Sequence, residues 1–266
     1  MFSVIKWTLW QRRYSIMWWS IAVVGFILLN LVFYPTFKDQ AAELNNSLSQ
    51  LPESAKALFA GSSDFVSPVG YLNSQIFFLM LPMLLTILTI GLGASIVAKE
   101  EREGTIELLL ARPVSRNKLL VSKAISAIII LLVVSSMAFL SISVTAKIVD
   151  IAVPLRYIAV ATLGSVVLAL CFGSIAFVIT MLSKSSKAAS IGVATLIAFG
   201  GYIIVSLSST VKWLKNPGKI FPAYYYKPED ILRGNINWKY FIFPISIIII
   251  SAIVSWWSFN NRDIGN

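Results

Sequence analysis

Residues 98–123 read AKEEREGTIELLLARPVSRNKLLVSK, a short charged stretch between two long apolar segments. Ten of its side chains are charged, whereas residues 74–97 and 124–146 contain no charged side chain. A charge in the hydrocarbon core of a bilayer costs about 2.5 kcal/mol or more, so this stretch cannot lie there. It is predicted to form a loop at one face of a membrane, and the apolar segments beside it are predicted to cross the membrane.

The order of residues within this stretch predicts a short helix followed by the start of a longer one. Thr105 can cap the short helix, and Pro113 ends it. Ser115 can cap the next helix, which enters the membrane. One face of the short helix is apolar and consists of Ile106, Leu109 and Leu110. A short helix with acidic residues before it and basic residues after it suits docking to another protein.

The composition predicts an all-α, polytopic membrane protein with six transmembrane helices. Of its 266 residues, 57% are apolar and only 13% are charged, which differs strongly from soluble proteins. A bilayer core about 30 Å thick needs roughly 20 apolar residues per helix, and six such runs are present. A single transmembrane domain is therefore expected over residues 1–266. Its predicted spans are 16–34, 74–98, 124–146, 157–182, 190–208 and 240–259.

The charge and the residue types exclude several function classes. The net charge is +10, but the basic residues are spread over several loops beside apolar runs, so membrane lipid rather than nucleic acid is the expected contact. Cys171 is the single cysteine and has no disulfide partner in the chain. The chain contains no histidine, which excludes imidazole catalysis and most zinc sites. No metal site and no cofactor of its own are expected.

The orientation follows from the positions of Lys and Arg. Residues 2–14 mix large apolar with basic side chains, which predicts an amphipathic helix in the membrane interface. Placing residues 98–123 inside puts twelve basic residues on the inner side and ten on the outer side. The density of basic residues close to the ends of spans favours the same choice. Both termini are therefore expected in the cytoplasm, with residues 35–73 and 211–239 outside. The protein is expected in the cell (plasma) membrane.

Three features of the spans and of the last outer loop leave alternatives open. Pro82 can kink the second span where neighbours satisfy the freed carbonyl, or it can be a tolerated irregularity. The fourth span carries small residues four apart at Ser165, Ala169 and Gly173, which suits either a subunit interface or packing inside one subunit. Three consecutive tyrosines, 224–226, line a substrate entrance or form part of an interfacial aromatic belt.

The chain shows no recognisable energy source for active transport. The phosphate-binding pattern Gly-x4-Gly-Lys-Ser/Thr does not occur, and no span carries a clear mid-membrane carboxylate. The adjacent acids Glu229 and Asp230 are more typical of a solvated surface than of catalysis. The chain is therefore not expected to be an enzyme, and the energy for transport is expected from a partner.

The motif Glu-x-Glu-Gly-Thr-x-Glu-Leu-Leu-Leu-x-x-Pro-Val-Ser-Arg at residues 101–116 resembles the cytoplasmic loop between the second and third spans of type-2 ABC exporter permeases. The resemblance implies that residues 99–123 contain a coupling helix that sits in a cleft of an ABC ATPase subunit. It also implies a homodimer or heterodimer with a similar permease, and ATP and Mg²⁺ bound on the ATPase. The implied coupling residues are Glu101, Glu103, Gly104, Thr105, Glu107, Leu109, Arg112, Pro113 and Arg116.

The leading hypothesis is therefore the membrane-spanning permease subunit of an ATP-driven ABC exporter. The alternative is a secondary carrier or channel that works without an ATPase, and a third class is a membrane-embedded enzyme or assembly factor. Co-purification with a nucleotide-binding protein separates the first hypothesis from both others. A hydrophobic or amphipathic substrate is expected, although no residue pattern identifies it.

Overall fold

The computed structural model describes residues 1–40, 67–95, 115–182 and 187–261, together with Gln50, Pro52, Ser54 and Ala55. Throughout these ranges the regular secondary structure is helical, without a β-strand. Six of the described helices are long and apolar enough to cross a membrane. The prediction of an all-α polytopic membrane protein is confirmed. The six helices are Arg13–Asp39, Pro68–Gly93, Arg116–Ile148, Leu155–Leu182, Ala188–Leu207 and Lys239–Asn261, and they are called the first to sixth spans.

Several spans extend beyond the apolar runs from which they were predicted. The second span begins at Pro68, where the Ser67 hydroxyl accepts a hydrogen bond from the Gly70 N–H. The third begins at Arg116, because Ser115 caps it by accepting from the Lys118 N–H, as predicted. The first continues through the short helix Tyr34–Asp39, which has Pro35 in its first turn. These ends are set by caps and turns, which hydropathy alone does not locate.

The second and fourth spans form the centre of the bundle. In their most apolar windows 61% and 56% of the residues are buried, compared with 17–39% for the other four spans. One large apolar cluster joins the first four spans and includes Ile27, Leu85, Val134 and Ile158. The fifth and sixth spans have only 22% and 17% of these windows buried, so much of their surface is exposed, as in helices that face lipid.

The second and fourth spans approach closely where small residues face each other. A Cβ atom on Gly93 would collide with the backbone carbonyl of Gly173, and one on Gly173 would collide with Thr89. The Thr89 hydroxyl donates a 2.6 Å hydrogen bond to the carbonyl oxygen of Ala169. Ser165, Ala169 and Gly173 are all buried. The small-residue stripe of the fourth span therefore packs inside one subunit, which is one of the two alternatives that the sequence left open.

The N-terminus and the described residues that flank the charged stretch lie at one end of the bundle, here called the base. It comprises the N-terminal helix Phe2–Gln11, Ser95, residues 115–123 and the last turns of the fourth and sixth spans. A small apolar cluster of Leu119, Leu120, Met181 and Phe259 holds these parts together. The N-terminal helix leaves Phe2, Trp7 and Trp10 exposed, which fits the predicted position in a membrane interface.

The opposite end, here called the loop end, is closed by the connections 149–154 and 208–238. The longer connection contains four short helices, at Lys212–Leu214, Lys215–Gly218, Pro222–Tyr225 and Pro228–Leu232. Ile151, Ile231 and Leu232 belong to the large apolar cluster. Part of this connection is thus packed into the bundle rather than lying over it.

Candidate functional site

The second span is interrupted near the loop end. Residues Asn73–Phe77 form a π-helix, in which the Phe78 N–H bonds to the carbonyl of Asn73 over 2.7 Å. A regular α-helix resumes only at Met80. Pro82 has no N–H, so it cannot donate to the carbonyl of Phe78, which stands four residues before it. The interruption therefore leaves backbone carbonyls that need donors from elsewhere.

A tyrosine from the fifth span supplies one of these donors. The Tyr202 hydroxyl donates to the carbonyl oxygen of Phe78 over 3.0 Å, and the two rings pack edge to face with centroids 5.5 Å apart. A small cavity of about 30 Å³ lies beside this contact, between Pro82, Phe172 and Tyr202. The second span is thus interrupted just before Pro82, and Tyr202 is the neighbour that satisfies the carbonyl freed by the proline.

A second tyrosine reaches the same interruption from the connection before the sixth span. The Tyr226 hydroxyl donates to the carbonyl oxygen of Phe77 over 2.8 Å, and it lies 2.8 Å from the Ser165 hydroxyl. The Ser165 hydroxyl also lies 3.2 Å from the carbonyl oxygen of Ala161 in its own helix. Burial raises the pKa of the Tyr226 hydroxyl more than the hydrogen bond with Ser165 lowers it. The phenol is therefore neutral at physiological pH and remains a hydrogen-bond donor.

At the base, the second span ends in a contact with the N-terminal helix. The Arg12 guanidinium donates to the Ser95 hydroxyl over 2.9 Å, and Ser95 donates to the carbonyl of Gly91 over 2.6 Å. Arg12 lies at the turn between the N-terminal helix and the first span. The last described residue before the charged stretch is thus tied to the N-terminal helix.

The start of the third span is held by neighbours on two sides. The Ser122 hydroxyl lies 3.5 Å from the Met1 carbonyl, and the Trp256 indole N–H donates to the Asn117 side-chain oxygen over 3.1 Å. Lys123 is only 2% exposed, and an ammonium group buried to this extent needs partners. Ser95 and Ser115, the described residues on either side of residues 96–114, therefore lie at the same end of the bundle.

Comparison with known proteins agrees with this architecture. The family model described as ABC-2 family transporter protein matches residues 3–264. The chain belongs to the ABC-2 transporter family. It is 30% identical over 216 residues to the uncharacterized membrane protein YdbK of Bacillus subtilis (strain 168), a match that covers 74% of this chain and 83% of YdbK. No solved structure matches the chain at a significant level.

Most of the predicted coupling residues of this ABC-2 protein lie outside the described residues. These are Glu101, Glu103, Gly104, Thr105, Glu107, Leu109, Arg112 and Pro113. Arg116 is described, and it occupies the first position of the third span directly after the Ser115 cap. Their role in coupling therefore stays a prediction, whereas the structure describes Ser95 and Ser115, which flank this part of the chain.

The contacts of Tyr202 and Tyr226 were not found from the sequence of this ABC-2 protein. The sequence predicts an entrance or an aromatic belt for the three tyrosines at 224–226, but the Tyr226 hydroxyl donates to the carbonyl of Phe77 in the second span. Tyr225 instead stacks on Phe243 of the sixth span, with ring centroids 4.6 Å apart. Pro82 was the only sequence signal that a carbonyl needed a donor, and it does not say which residue provides one.

Proposed function

We propose that this chain is the membrane-spanning permease subunit of an ATP-driven ABC exporter. The observation that carries the proposal is the match to the ABC-2 transporter family over residues 3–264. The motif at residues 101–116 adds to it, because it resembles the segment that contacts the ATPase in type-2 exporter permeases. The partner is a separate ABC ATPase that holds ATP and Mg²⁺, and the permease works as a homodimer or heterodimer in the plasma membrane.

In this proposal, force on the coupling segment, residues 99–123, reaches the bundle through the two spans that the segment joins. The segment joins the second span, which crosses the fourth closely, to the third span, which packs on the first. The third span has 33 residues and is about 50 Å long at 1.5 Å per residue. It is one continuous helix, so a displacement of the coupling segment reaches the loop end without a hinge in that span.

The residues of the coupling segment have distinct roles in this proposal. Gly104 permits a backbone turn and Thr105 caps the docked helix, so Thr105→Ala costs that helix about 1 kcal/mol. Glu107 and Arg112 meet charges on the ATPase, and such charges govern the choice of partner. ATP binding shifts the equilibrium between inward-open and outward-open states to the extent that the ATPase contacts the two states differently. The exported compound is hydrophobic or amphipathic.

The proposal is tested by purifying the tagged permease from its membrane and identifying the ABC ATPase that co-purifies with it. We expect Glu107→Lys to reach the membrane in normal amount but to lose at least nine-tenths of the bound ATPase. Asp39→Lys is the matched control, because it makes the same charge change at an exposed position at the loop end. Normal ATPase retention and transport by Glu107→Lys would exclude residues 99–123 as the docking site.

A second measurement separates the exporter from a carrier or channel. The permease purified without other polypeptides is expected to show no ATP hydrolysis, since it lacks a phosphate-binding loop. Reconstituted vesicles that contain only the permease should also fail to move a fluorescent amphipathic compound. Transport under these conditions would favour the secondary carrier or channel.

A further inference from the structure

A cavity of about 160 Å³ lies between the second, third, fourth and sixth spans, closer to the base than the interrupted second span. Small residues create this space, because side chains are short where the four helices face one another. The small residues that line it are Gly93, Ala124, Ala127, Gly173, Ser174, Ser251 and Ala252. It adjoins the close crossing of the second and fourth spans, at which Gly93 meets Gly173.

The cavity reaches the surface between the third and sixth spans. Ile128 of the third span is 40% exposed, and Ala252 of the sixth span is also exposed. Leu170 and Phe177 of the fourth span form part of the cavity wall and are less exposed than these two residues. The opening therefore lies in the membrane-spanning part of the bundle, and it faces the hydrocarbon of the bilayer.

The lining selects an apolar occupant. None of the described residues that line the cavity carries a charge. The Thr89 hydroxyl donates to the carbonyl of Ala169 at 2.6 Å, and the Ser174 hydroxyl donates to the carbonyl of Cys171 at 2.7 Å. Ser251 contributes the one other side-chain hydroxyl among the described lining residues. A buried water needs two to four polar partners, which this lining does not offer. A cavity of this kind stays dry unless an apolar group fills it.

The size fits part of an alkyl chain. An apolar cavity of about 150 Å³ in another protein takes up benzene, which has six carbon atoms. The flanking surface is apolar and exposed, with Leu132 at 47% and Ile253 at 60%, so lipid chains surround the opening. We propose that this cavity is a binding site for the acyl chain of a bilayer phospholipid, which enters between the third and sixth spans. The site goes beyond the proposed transport function and does not require the ATPase.

Photolabelling of the purified full chain tests the site. The probe is a phosphatidylcholine with a diazirine in the middle of one acyl chain, diluted into vesicles of unlabelled palmitoyl-oleoyl phosphatidylcholine. We expect labels on the wall residues Leu170 and Phe177, in addition to labels on the outer residues Leu132 and Ile253. Labels that are confined to the outer residues would overturn the proposal, and this result needs no variant.

Two variants that fill the cavity and one control variant show whether the label arrives through the opening. Ala252→Phe fills the mouth, and the labelling of Leu170 and Phe177 is expected to fall about tenfold. Ile253→Phe is the matched control, since it adds a ring at the adjacent exposed position and should leave wall labelling unchanged. Ala127→Leu fills the cavity from the third span, and it should also lower the labelling of Leu170 and Phe177. It replaces Ala252→Phe in the test if that variant folds poorly. Wall labelling at the wild-type level in a folded filled variant would overturn the proposal.

Discussion

The Tyr202 hydroxyl donates a hydrogen bond of 3.0 Å to the backbone carbonyl of Phe78, across the interface between the fifth and second spans. In an uninterrupted helix this carbonyl would accept from the N–H of residue 82, but that residue is Pro82. Within a membrane, water is not available to replace the missing donor. Tyr202 therefore compensates for Pro82, and the two residues form one structural unit although they lie far apart in the chain.

This pairing predicts a coupled response to two substitutions. Tyr202→Phe should lower the free energy of unfolding by about 1 kcal/mol, because the Phe78 carbonyl loses its donor. In a Pro82→Ala background the same substitution should cost much less, since the alanine introduced there can donate its own N–H. Unfolding by dodecyl sulfate titration in mixed micelles measures both costs.

The control for this cycle is Tyr225→Phe. The Tyr225 ring stacks on Phe243, and its hydroxyl makes no hydrogen bond to any residue that the structure describes. Its removal should change stability by less than about 0.5 kcal/mol. Equal costs of Tyr202→Phe in the wild-type and Pro82→Ala backgrounds would contradict the pairing.

The interruption of the second span could be predicted from the sequence only in part. Pro82 identified a carbonyl without its usual donor, because that consequence depends only on the residue four positions earlier. The Ser115 cap was predicted for the same reason, since a cap acts within three residues. Tyr202 and Tyr226 lie 124 and 149 residues from the carbonyls they bind. Contacts at that separation are set by how the helices pack, which local patterns do not specify.

The small-residue stripe illustrates the same limit at the level of helix packing. The four-residue spacing of Ser165, Ala169 and Gly173 correctly predicted a close approach, because small side chains let two backbones come together. It did not identify the partner, which is the face of the second span that carries Thr89 and Gly93. Any helix with a similarly small face would satisfy the same pattern.

The two glycines of the second span should respond differently to a methyl group. Gly93→Ala is expected to lower the free energy of unfolding by about 1–3 kcal/mol, since its Cβ would collide with the Gly173 carbonyl. Gly91→Ala is the matched control, because nothing lies within 4 Å of a Cβ at that position. Gly91→Ala should be neutral or slightly stabilising through its higher helix propensity. Equal losses in both variants, measured by the same titration, would argue against the close crossing.

Because the Tyr226 hydroxyl is buried, the stability of the folded chain is expected to depend on pH in the alkaline range. Its pKa is raised in the folded chain, chiefly by burial, whereas a tyrosine in the unfolded chain titrates near its ordinary value of about 10. The folded chain therefore keeps this proton to a higher pH than the unfolded chain does. The stabilisation by Tyr226 is fully present below about pH 10 and is lost as the pH rises above that value.

The measurement compares the wild type with Tyr226→Phe in detergent between about pH 8 and pH 12. The stability advantage of the wild type should stay constant up to about pH 10 and then shrink, because phenylalanine has no proton to lose. Ser165→Ala in the Tyr226→Phe background should add little, since the serine has already lost its bond to Tyr226 and keeps only the bond to the Ala161 carbonyl of its own helix. A constant advantage over the whole pH range would show that Tyr226 is not held in its protonated form by the fold.

The last prediction concerns the orientation of the bundle in the membrane. The base carries Arg12, Arg116 and Lys118 close to the ends of spans, where basic residues favour the cytoplasmic side. The base is therefore expected in the cytoplasm and the loop end outside. Two exposed positions, Asn117 at the base and Asn216 in the connection before the sixth span, suit replacement by cysteine.

The native Cys171 is completely buried, so the wild-type chain provides a low background for thiol labelling in intact cells. A membrane-impermeant maleimide should label Asn216→Cys in intact cells, whereas Asn117→Cys should react only after the cells are permeabilised. Labelling of both in permeabilised cells controls for accessibility of each thiol. If Asn117→Cys reacts in intact cells as fast as Asn216→Cys, the base is not cytoplasmic. Residues 99–123 would then face away from ATP, and an ATPase in the cytoplasm could not dock on them.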